Sequence, residues 1–273
     1  MTPQRFFSVG IGAAASLALA GFFGTQALEW GSGSTSHTDH HTYRQDIRQI
    51  DVSSTNGRIV LEPATGSAVT VERTINESLR SAPTSTQVRG GTLQLSGRCG
   101  SFLFGSCSVT YVVQVPKDVA VTAWVANGRI SASGLRGKAE LSTSSGSIDA
   151  ADIHGSLQAE TSSGSIHATA IEGAEITLRT GSGSIHGDRL DAPRVTAETG
   201  SGGIDLGTTS APNLLKANTG SGHATVQVPV GPAYDVDTDG AGNAEVGVRQ
   251  DSTSSHHVLV DTGSGKIEVK YGK

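Results

Sequence analysis

The stretch Thr161-Ser-Ser-Gly-Ser-Ile166 decides the fold, because five further copies of it occur in the chain. The other copies are Thr143-Ser-Ser-Gly-Ser-Ile148, Thr180-Gly-Ser-Gly-Ser-Ile185, Thr199-Gly-Ser-Gly-Gly-Ile204, Thr219-Gly-Ser-Gly-His-Ala224 and Thr262-Gly-Ser-Gly-Lys-Ile267. With two weaker copies included, the central glycines recur at a nearly constant spacing and are Gly128, Gly146, Gly164, Gly183, Gly202, Gly222, Gly242 and Gly265. A nearly fixed period of this length predicts a solenoid.

The residues between these glycines indicate strands. Apolar and polar residues alternate in Ile166-His-Ala168-Thr-Ala170 and again in Ile176-Thr-Leu178-Arg-Thr180. A unit of about 19 residues holds two short strands and two turns, which is too little for a strand and a helix. We therefore predict an all-β fold, a parallel β-helix or β-solenoid with one such unit per coil. Its expected inward residues are Ile130, Ala132, Leu135, Ala139, Leu141, Ile148, Ala150, Ile153, Leu157, Ala159, Ile185, Leu190, Val195 and Ala197.

The repeated glycines and threonines are expected to shape the corners. Glycine adopts the positive φ that a corner needs, so a side chain at Gly164 or Gly183 should be poorly tolerated. The threonines that open the turns are Thr143, Thr161, Thr180, Thr199, Thr219, Thr238 and Thr262. Threonine ranks can bind ice on flat solenoids, but one threonine per corner favours a hydroxyl bonded to the turn backbone.

The N-terminus predicts export. Arg5 precedes an uncharged run, Phe6–Leu28, and Glu29 follows it. The run is long enough to cross a bilayer, and the positive residue before it places the C-terminal bulk outside the cytoplasm. We expect residues 1–30 to be an uncleaved signal anchor in the cell membrane; the alternative is a signal peptide cleaved after Ala20 or Ala27, giving a secreted protein.

The two cysteines suit an exported protein. Cys99 and Cys107 flank a short loop between two strand-like runs, and we expect a disulfide between them. Two cysteines without zinc spacing make a thiol metal site a poor hypothesis. The loop sequence Phe102-Leu103-Phe104 is interpreted as a hydrophobic plug on the solenoid, with a partner contact as the alternative.

Residues 31–44 are polar and of low complexity, so we predict a flexible linker before a solenoid domain at 45–271. The linker contains His37, Asp39, His40 and His41, but a mobile tract lacks the fixed geometry of a dedicated metal site. The net charge of −5 and the lack of a Lys/Arg cluster with aromatic residues argue against nucleic acid as a partner.

The domain resembles a known family. The run Ile47-Arg-Gln-Ile-Asp-Val-Ser-Ser-Thr-Asn-Gly-Arg-Ile59, the strand Tyr111-Val-Val-Gln-Val-Pro116 and the Gly-Ser-Gly repeats together are similar to the bacterial "putative adhesin" β-strand-repeat family, over roughly residues 45–271. The resemblance implies a parallel β-helix-like domain of unknown function, found on exported or membrane-anchored proteins and linked to the cell envelope or stress responses. The family offers no catalytic motif to carry over.

One column of residues has the chemistry of a site. The outward position after each turn is Asp149, His167, His186 and Asp205 in successive coils, about 4.8 Å apart if the coils stack. Two imidazoles between two carboxylates are a weak candidate for cation binding, and a solvated polar face is the favoured interpretation. Glu160 and Arg179 are expected to form an exposed ion pair.

These observations predict a non-catalytic, adhesin-like interaction module of the cell envelope, without a cofactor, whose partner is an envelope glycan or protein. The membrane itself is contacted through residues 6–28. A carbohydrate-active β-helix enzyme and a sensory or regulatory exodomain remain as alternatives. The enzyme would need a groove that gathers acidic residues from several coils.

Overall fold

The computed structural model describes residues 35–78, 82–99, 106–240 and 242–272, and its regular elements are β-strands. The strands are β1 (Thr35–Tyr43), β2 (Gln49–Pro63), β3 (Val69–Glu77), β4 (Thr84–Arg89), β5 (Thr92–Gly97), β6 (Cys107–Val115), β7 (Ala120–Ser133), β8 (Ala139–Ser145), β9 (Ile148–His154), β10 (Leu157–Ser163), β11 (Ile166–Glu172), β12 (Glu175–Ser182), β13 (Ile185–Asp191), β14 (Arg194–Ser201), β15 (Ile204–Thr208), β16 (Leu214–Ser221), β17 (Ala224–Val228), β18 (Asp235–Gly240), β19 (Ala244–Val246), β20 (His257–Thr262) and β21 (Ile267–Tyr271). The predicted signal segment, residues 1–30, lies outside the described residues.

The strands form two layers that meet at the glycine corners. The front layer contains β4, β5, β8, β10, β12, β14, β16, β18 and β20. The back layer contains β1, β3, β6, β9, β11, β13, β15, β17, β19 and β21. The long strands β2 and β7 begin in the front layer and end in the back layer. Alternate side chains from both layers point inward and form one hydrophobic core.

The core confirms the sequence pattern, because all fourteen predicted inward residues are buried. Full burial of one isoleucine or leucine stabilises a fold by about 1.5–3 kcal/mol, and this core repeats such residues in every coil. A narrow interior filled with Ile, Val, Leu and Ala is what two closely spaced layers of short strands require.

The coils stack in parallel with the predicted period. Leu157 pairs with Ala139 in the preceding coil and with Ile176 in the next coil. The column continues from Ile176 to Val195 and from Val195 to Leu215, and these steps keep nearly the same length along the chain. The fold is therefore all-β and solenoid-like, with one repeat of the motif in each coil.

The corners are built as the repeated motif predicts. Seven of the eight predicted corner glycines have φ between 135° and 149°: Gly128, Gly146, Gly164, Gly183, Gly202, Gly222 and Gly265. A Cβ on the eighth, Gly242, would overlap the carbonyl oxygen of Gly265, just as a Cβ on Gly183 would overlap that of Gly164. The glycines thus stack backbone on backbone, which leaves no room for a side chain.

The threonine rank ties neighbouring corners together. Thr161, Thr180, Thr199, Thr219 and Thr262 are buried, and each donates its hydroxyl to the carbonyl oxygen of the corner glycine in the adjoining coil at 2.9–3.1 Å. The predicted hydrogen bonds to turn backbone are therefore confirmed for these five threonines, whereas the buried hydroxyl of Thr143 has no hydrogen-bond partner among the described residues. Thr238 does not belong to the rank, because Gly240 takes the position opposite Thr262.

The N-terminal end departs from sequence order. β2 lies between β7 and the coil formed by β5 and β6, so the first solenoid strand is internal. Beyond that coil, β3 and β4 run antiparallel and close the stack, and β1 pairs antiparallel with β3 along its whole length. The prediction of a flexible linker at 31–44 is therefore wrong for residues 35–43, because the free edge of β3 gives them backbone hydrogen-bond partners.

The C-terminal end is also reordered. The last strands, β20 and β21, pair with β16 and β17 on one side and with β18 and β19 on the other. The coil that comes last in the sequence is therefore second from the end of the stack.

The predicted disulfide is present. Cys99 and Cys107 are bonded across the corner between β5 and β6, with a Cα–Cα distance of 5.7 Å. The loop sequence 102–104 that was interpreted as a hydrophobic plug lies outside the described residues.

Candidate functional site

The front layer carries an exposed tryptophan. Trp124 and Val230 are the two large apolar side chains exposed to solvent in the described part of the chain, and Trp124 is 40% exposed. Trp124 lies on β7, where strand alternation directs it outward between buried Ala123 and Val125. An exposed aromatic side chain on a rigid strand is typical of a binding surface, because it offers a large contact area with little conformational entropy to lose.

Trp124 belongs to a continuous outward column that we call the front ladder. Its members occupy equivalent positions in seven neighbouring coils and are Ser53, Trp124, Ser142, Glu160, Arg179, Glu198 and Asn218. Neighbouring strands are about 4.8 Å apart, so the five steps from Trp124 to Asn218 cover about 24 Å. The ladder is therefore long and narrow.

The charged part of the front ladder is paired within itself. Arg179 Nε lies 3.0 Å from Glu198 Oε2, and Arg179 Nη1 lies 3.5 Å from Glu160 Oε1, as the sequence predicted for that pair. Lys216 lies two residues before Asn218 on β16, and its Nζ is 2.9 Å from Glu198 Oε1. The hydrogen bond from Lys216, with that from Arg179, lowers the pKa of Glu198. Glu198 is thus held ionised, whereas a general acid needs a raised pKa.

Shallow grooves lie on both sides of Trp124. The larger groove, of about 620 Å³, runs along the front ladder from Trp124 past Ser142, Glu160 and Arg179 to Asn218. The smaller groove, of about 410 Å³, lies between Trp124 and β4 and is lined by side chains that include Asp51, Ser53, Gln87 and Thr122. The Trp124 side chain therefore stands between two grooves of the front layer.

The predicted Asp/His column exists, but on the back layer. His167 is in register with both Asp149 and His186, and His186 with Asp205. Asp149 Oδ2 lies 3.5 Å from Arg129 Nε, His186 Nδ1 lies 3.4 Å from Asp205 Oδ2, and the two imidazole centroids are 6.2 Å apart. Parallel strands direct these side chains side by side rather than toward one point. Among the residues that the structure describes, no three His, Cys, Asp or Glu side chains are arranged to hold a metal ion.

The histidine tract is part of strand β1. Asp39 accepts hydrogen bonds from Arg73 Nη2 at 2.6 Å and Arg73 Nε at 3.1 Å, in a half-buried position. His40 Nδ1 lies 3.7 Å from Glu72 Oε2, and His41 Nε2 lies 3.6 Å from Asp39 Oδ1. The contacts of Asp39 with Arg73 and of His40 with Glu72 fasten β1 to β3, so these polar residues of the tract stabilise the strand pairing.

The sequence reasoning missed Trp124, and one signal pointed to it. In the run Ala120–Val125 every second residue is buried, and Trp124 occupies one of the positions that face solvent. A tryptophan at a solvent-facing phase is unusual in an otherwise polar column. That Trp124 lines the same groove as Glu160 and Arg179 follows only from the register of the coils.

Comparison with known protein families and solved structures shows what the chain is similar to. No curated protein matches it. A "putative adhesin" from Bacteroides fragilis has a similar structure, with a TM-score of 0.50 and 15% identity, covering 86% of this chain and 97% of that one. A "putative lipid binding protein" from Parabacteroides distasonis has a TM-score of 0.38 and 15% identity, covering 85% of this chain and 96% of that one. Within the described ranges no helix is long and apolar enough to cross a membrane.

The family profile described as Toastrack DUF4097 matches residues 47–270, which is nearly the whole described solenoid. This match agrees with the predicted resemblance and with the likeness to a structure described as an adhesin. The chain belongs to the Toastrack DUF4097 family.

Proposed function

We propose that this chain is an exported, non-catalytic interaction module of the bacterial cell envelope that binds its partner through the front layer around Trp124. The exposure of Trp124 between two grooves carries the proposal. A partner that covers an exposed tryptophan gains hydrophobic free energy, and aromatic residues dominate the binding energy of many interfaces.

The electrostatics of the front ladder support binding rather than catalysis. Its carboxylates are engaged by Arg179 and Lys216, and the lowered pKa of Glu198 keeps that group from donating a proton near neutral pH. Because its carboxylates are paired with cations, the groove is suited to contact a ligand rather than to transfer a proton. The description of a similar structure as an adhesin agrees with this role.

Export is the second part of the proposal. The uncharged run Phe6–Leu28 and the Cys99–Cys107 disulfide both suit a chain that is displayed outside the cytoplasm, where disulfides persist. We expect the full chain to fractionate with membranes, to resist extraction by high salt and to be cut by protease added to spheroplasts. Recovery of a soluble chain that begins near Gly21 or Leu28 would mean secretion, and cytoplasmic recovery would refute export.

Binding is tested with the full chain in detergent and with cell-envelope fragments freed of membrane, so that residues 6–28 cannot account for the retention. The wild-type protein and Val230→Ala, which removes an exposed apolar side chain between β17 and β18 that lines neither groove, should co-sediment with the envelope fragments. Trp124→Ala should be retained at least about tenfold less strongly. Equal retention of Trp124→Ala would reject the front layer as the binding surface, and lack of retention of the wild-type protein would reject the interaction module itself.

A further inference from the structure

The front ladder has properties that select one class of ligand. It combines an exposed aromatic ring, a series of hydrogen-bonding groups in a line, and charges that neutralise one another. The inference below rests on the proposed function, because it names the chemistry of the partner that the front layer would bind.

The length of the groove indicates a linear ligand. The larger groove follows the coil axis from Trp124 to Asn218, about 24 Å along the stack, and the smaller one continues on the other side of Trp124. Each coil presents a similar set of polar side chains at a constant spacing. A repeating surface of this kind fits a ligand that is itself an extended polymer of similar units.

The charge balance of the groove indicates a neutral ligand. In the larger groove Arg179 is shared between Glu160 and Glu198, and Lys216 beside the groove is bound to Glu198, so two cations and two anions compensate one another. Asp51 in the smaller groove is the one further charged residue among those that line the two grooves, and it disfavours an acidic ligand as well. An acidic polymer or a phosphate would have to displace a carboxylate from its cation, and a basic peptide would have to displace a cation from its carboxylate. A neutral ligand with many hydroxyl groups meets neither cost.

The groups that line the groove are also suited to hydroxyls. Their charged side chains are partly exposed, with 33–47% of Glu160, Arg179 and Glu198 open to solvent, and Lys216 lies beside the groove. Carboxylate oxygens accept, guanidinium and ammonium groups donate, and the serine hydroxyl of Ser142 and the amide of Asn218 do both. A surface of the sheet, rather than its edge, offers no backbone groups to an extended peptide, which removes strand addition as a binding mode.

Trp124 provides the apolar part of the recognition. A pyranose ring has a face of C–H groups and a rim of hydroxyls, so it can bury its apolar face on an indole while its rim reaches the polar neighbours. Trp124 has Ser142 beside it in the larger groove and Ser53 and Thr122 in the smaller one. The indole therefore lies between two sets of hydroxyl groups.

We propose that the front layer binds a neutral, linear polysaccharide that runs across the coils, with one sugar ring stacked on Trp124 and its neighbours bonded to the Glu160–Arg179–Glu198 network. The site is an open surface groove, so it accommodates an internal segment of a long chain as well as an end.

The test uses tryptophan fluorescence. The chain contains two tryptophans, and Trp30→Phe leaves Trp124 as the single reporter. The full-length Trp30→Phe protein is kept in a zwitterionic detergent, because a maltoside detergent carries a sugar headgroup. The probes are cellohexaose, chitohexaose and mannohexaose, with hexagalacturonate as the acidic comparison. We expect at least one neutral hexasaccharide to protect Trp124 from acrylamide quenching in a saturable manner, and hexagalacturonate to protect it at least about tenfold less well.

Variants locate the site. These variants are made in the protein that keeps both tryptophans, and their affinity for the hexasaccharide is measured by calorimetry. Trp124→Ala should lower this affinity at least about tenfold, and Trp124→Phe, which keeps an aromatic ring, should lower it less. Val230→Ala should bind as the wild type does. Arg179→Gln should weaken binding about threefold or more. The quenching assay keeps Trp124 unchanged, so it tests polysaccharide binding even if Trp124→Ala does not fold.

The two proposals fail in different ways. If the wild-type chain binds envelopes through Trp124 but no neutral hexasaccharide protects Trp124, or hexagalacturonate protects it better, the polysaccharide inference is overturned and the interaction module stands. If a hexasaccharide protects Trp124 but envelopes do not retain the chain, the inference stands and the envelope role fails.

Discussion

The hydroxyl of Thr262 donates a hydrogen bond of 3.0 Å to the carbonyl oxygen of Gly222, although the whole coil of β18 and β19 lies between these residues in the sequence. The bond places the last coil directly beside the coil of β16 and β17. Among the residues that the structure describes, the strands of the outermost coil, which precedes it in the chain, then pair only with β20 and β21.

The reordered C-terminus predicts an asymmetry between two deletions. Removal of residues 257–273 takes away β20 and β21 and leaves β18 and β19 without their partners, so two coils should be lost. Removal of residues 232–254 takes away the outermost coil alone and leaves a connection between Val228 and His257 as long as the one that joins Thr208 to Leu214. The first deletion should lower the melting temperature clearly more than the second, by calorimetry. A smaller effect of the C-terminal truncation would contradict the order of the coils.

The corner glycines predict a severe effect of a side chain. Gly183→Val should destabilise the protein by at least about 2–3 kcal/mol, because φ is 141° there and a Cβ would overlap the carbonyl oxygen of Gly164. Gly66→Val is the control, since nothing lies within 4 Å of its Cβ position. Urea unfolding measures both. Equal unfolding midpoints would show that the corners tolerate a side chain.

The threonine rank offers a matched pair of substitutions. Thr180 donates to Gly164 at 2.9 Å, whereas the buried hydroxyl of Thr143 has no hydrogen-bond partner among the described residues. Thr180→Val should therefore destabilise by about 1 kcal/mol, while Thr143→Val should be neutral or stabilising, because it removes an unpaired buried polar group. Thermal unfolding of the two variants compares them. A larger loss at Thr143 than at Thr180 would count against the ladder of hydroxyl bonds.

The disulfide predicts a moderate loss of stability on reduction. The bond closes a short loop, Cys99 to Cys107, and chain entropy gives it about 2.5 kcal/mol. The double variant Cys99→Ser/Cys107→Ser should lose this amount, and reductant should lower the stability of the wild type but not that of the variant. Natively exported protein should resist thiol labelling until it is reduced. Full labelling without reductant would overturn the bond.

The paired charges predict a pH dependence at Glu198. Its folded-state pKa is lowered, first by Lys216 and then by Arg179, so the stabilisation is present above the unfolded-state pKa and is lost as the pH falls through the folded-state pKa. Glu198→Gln should thus be less stable than wild type near pH 7, and the difference should shrink toward acid pH in urea titrations. Lys216→Gln should raise the pKa of Glu198, measured by carboxyl NMR. A stability difference that does not change with pH would refute the assignment.

Much of the fold could be predicted from the sequence, because each coil repeats the same turn residues and the same alternation of apolar and polar residues. The Gly-Ser-Gly motif predicts a corner through backbone conformation alone, and the alternation after it predicts a strand and its inward face. Residue spacing was enough to predict the coil period, the inward residues and the disulfide, and the structure contains all three. Spacing also predicted the column of Asp149, His167, His186 and Asp205, and these residues are in register in the structure.

The candidate site was harder to predict from the sequence, because it depends on which coils are neighbours and on which side chain pairs with each charged group. The pairing of Glu160 with Arg179 could be predicted from spacing, but the second partner, Glu198, and the link to Lys216 required the side-chain geometry. Strand alternation directs Trp124 outward, but only the stacked coils place it at the end of a groove.

The sequence alone determined the repeating unit, since local backbone preference and hydrophobic periodicity act within a single coil. The tertiary structure decided the order of the end coils, the use of residues 35–43 as strand β1 and the grooves beside Trp124. These features depend on which free strand edge a segment meets. Any unpaired edge offers the same backbone donors and acceptors, so the choice among edges is made by the complete stack and its side chains.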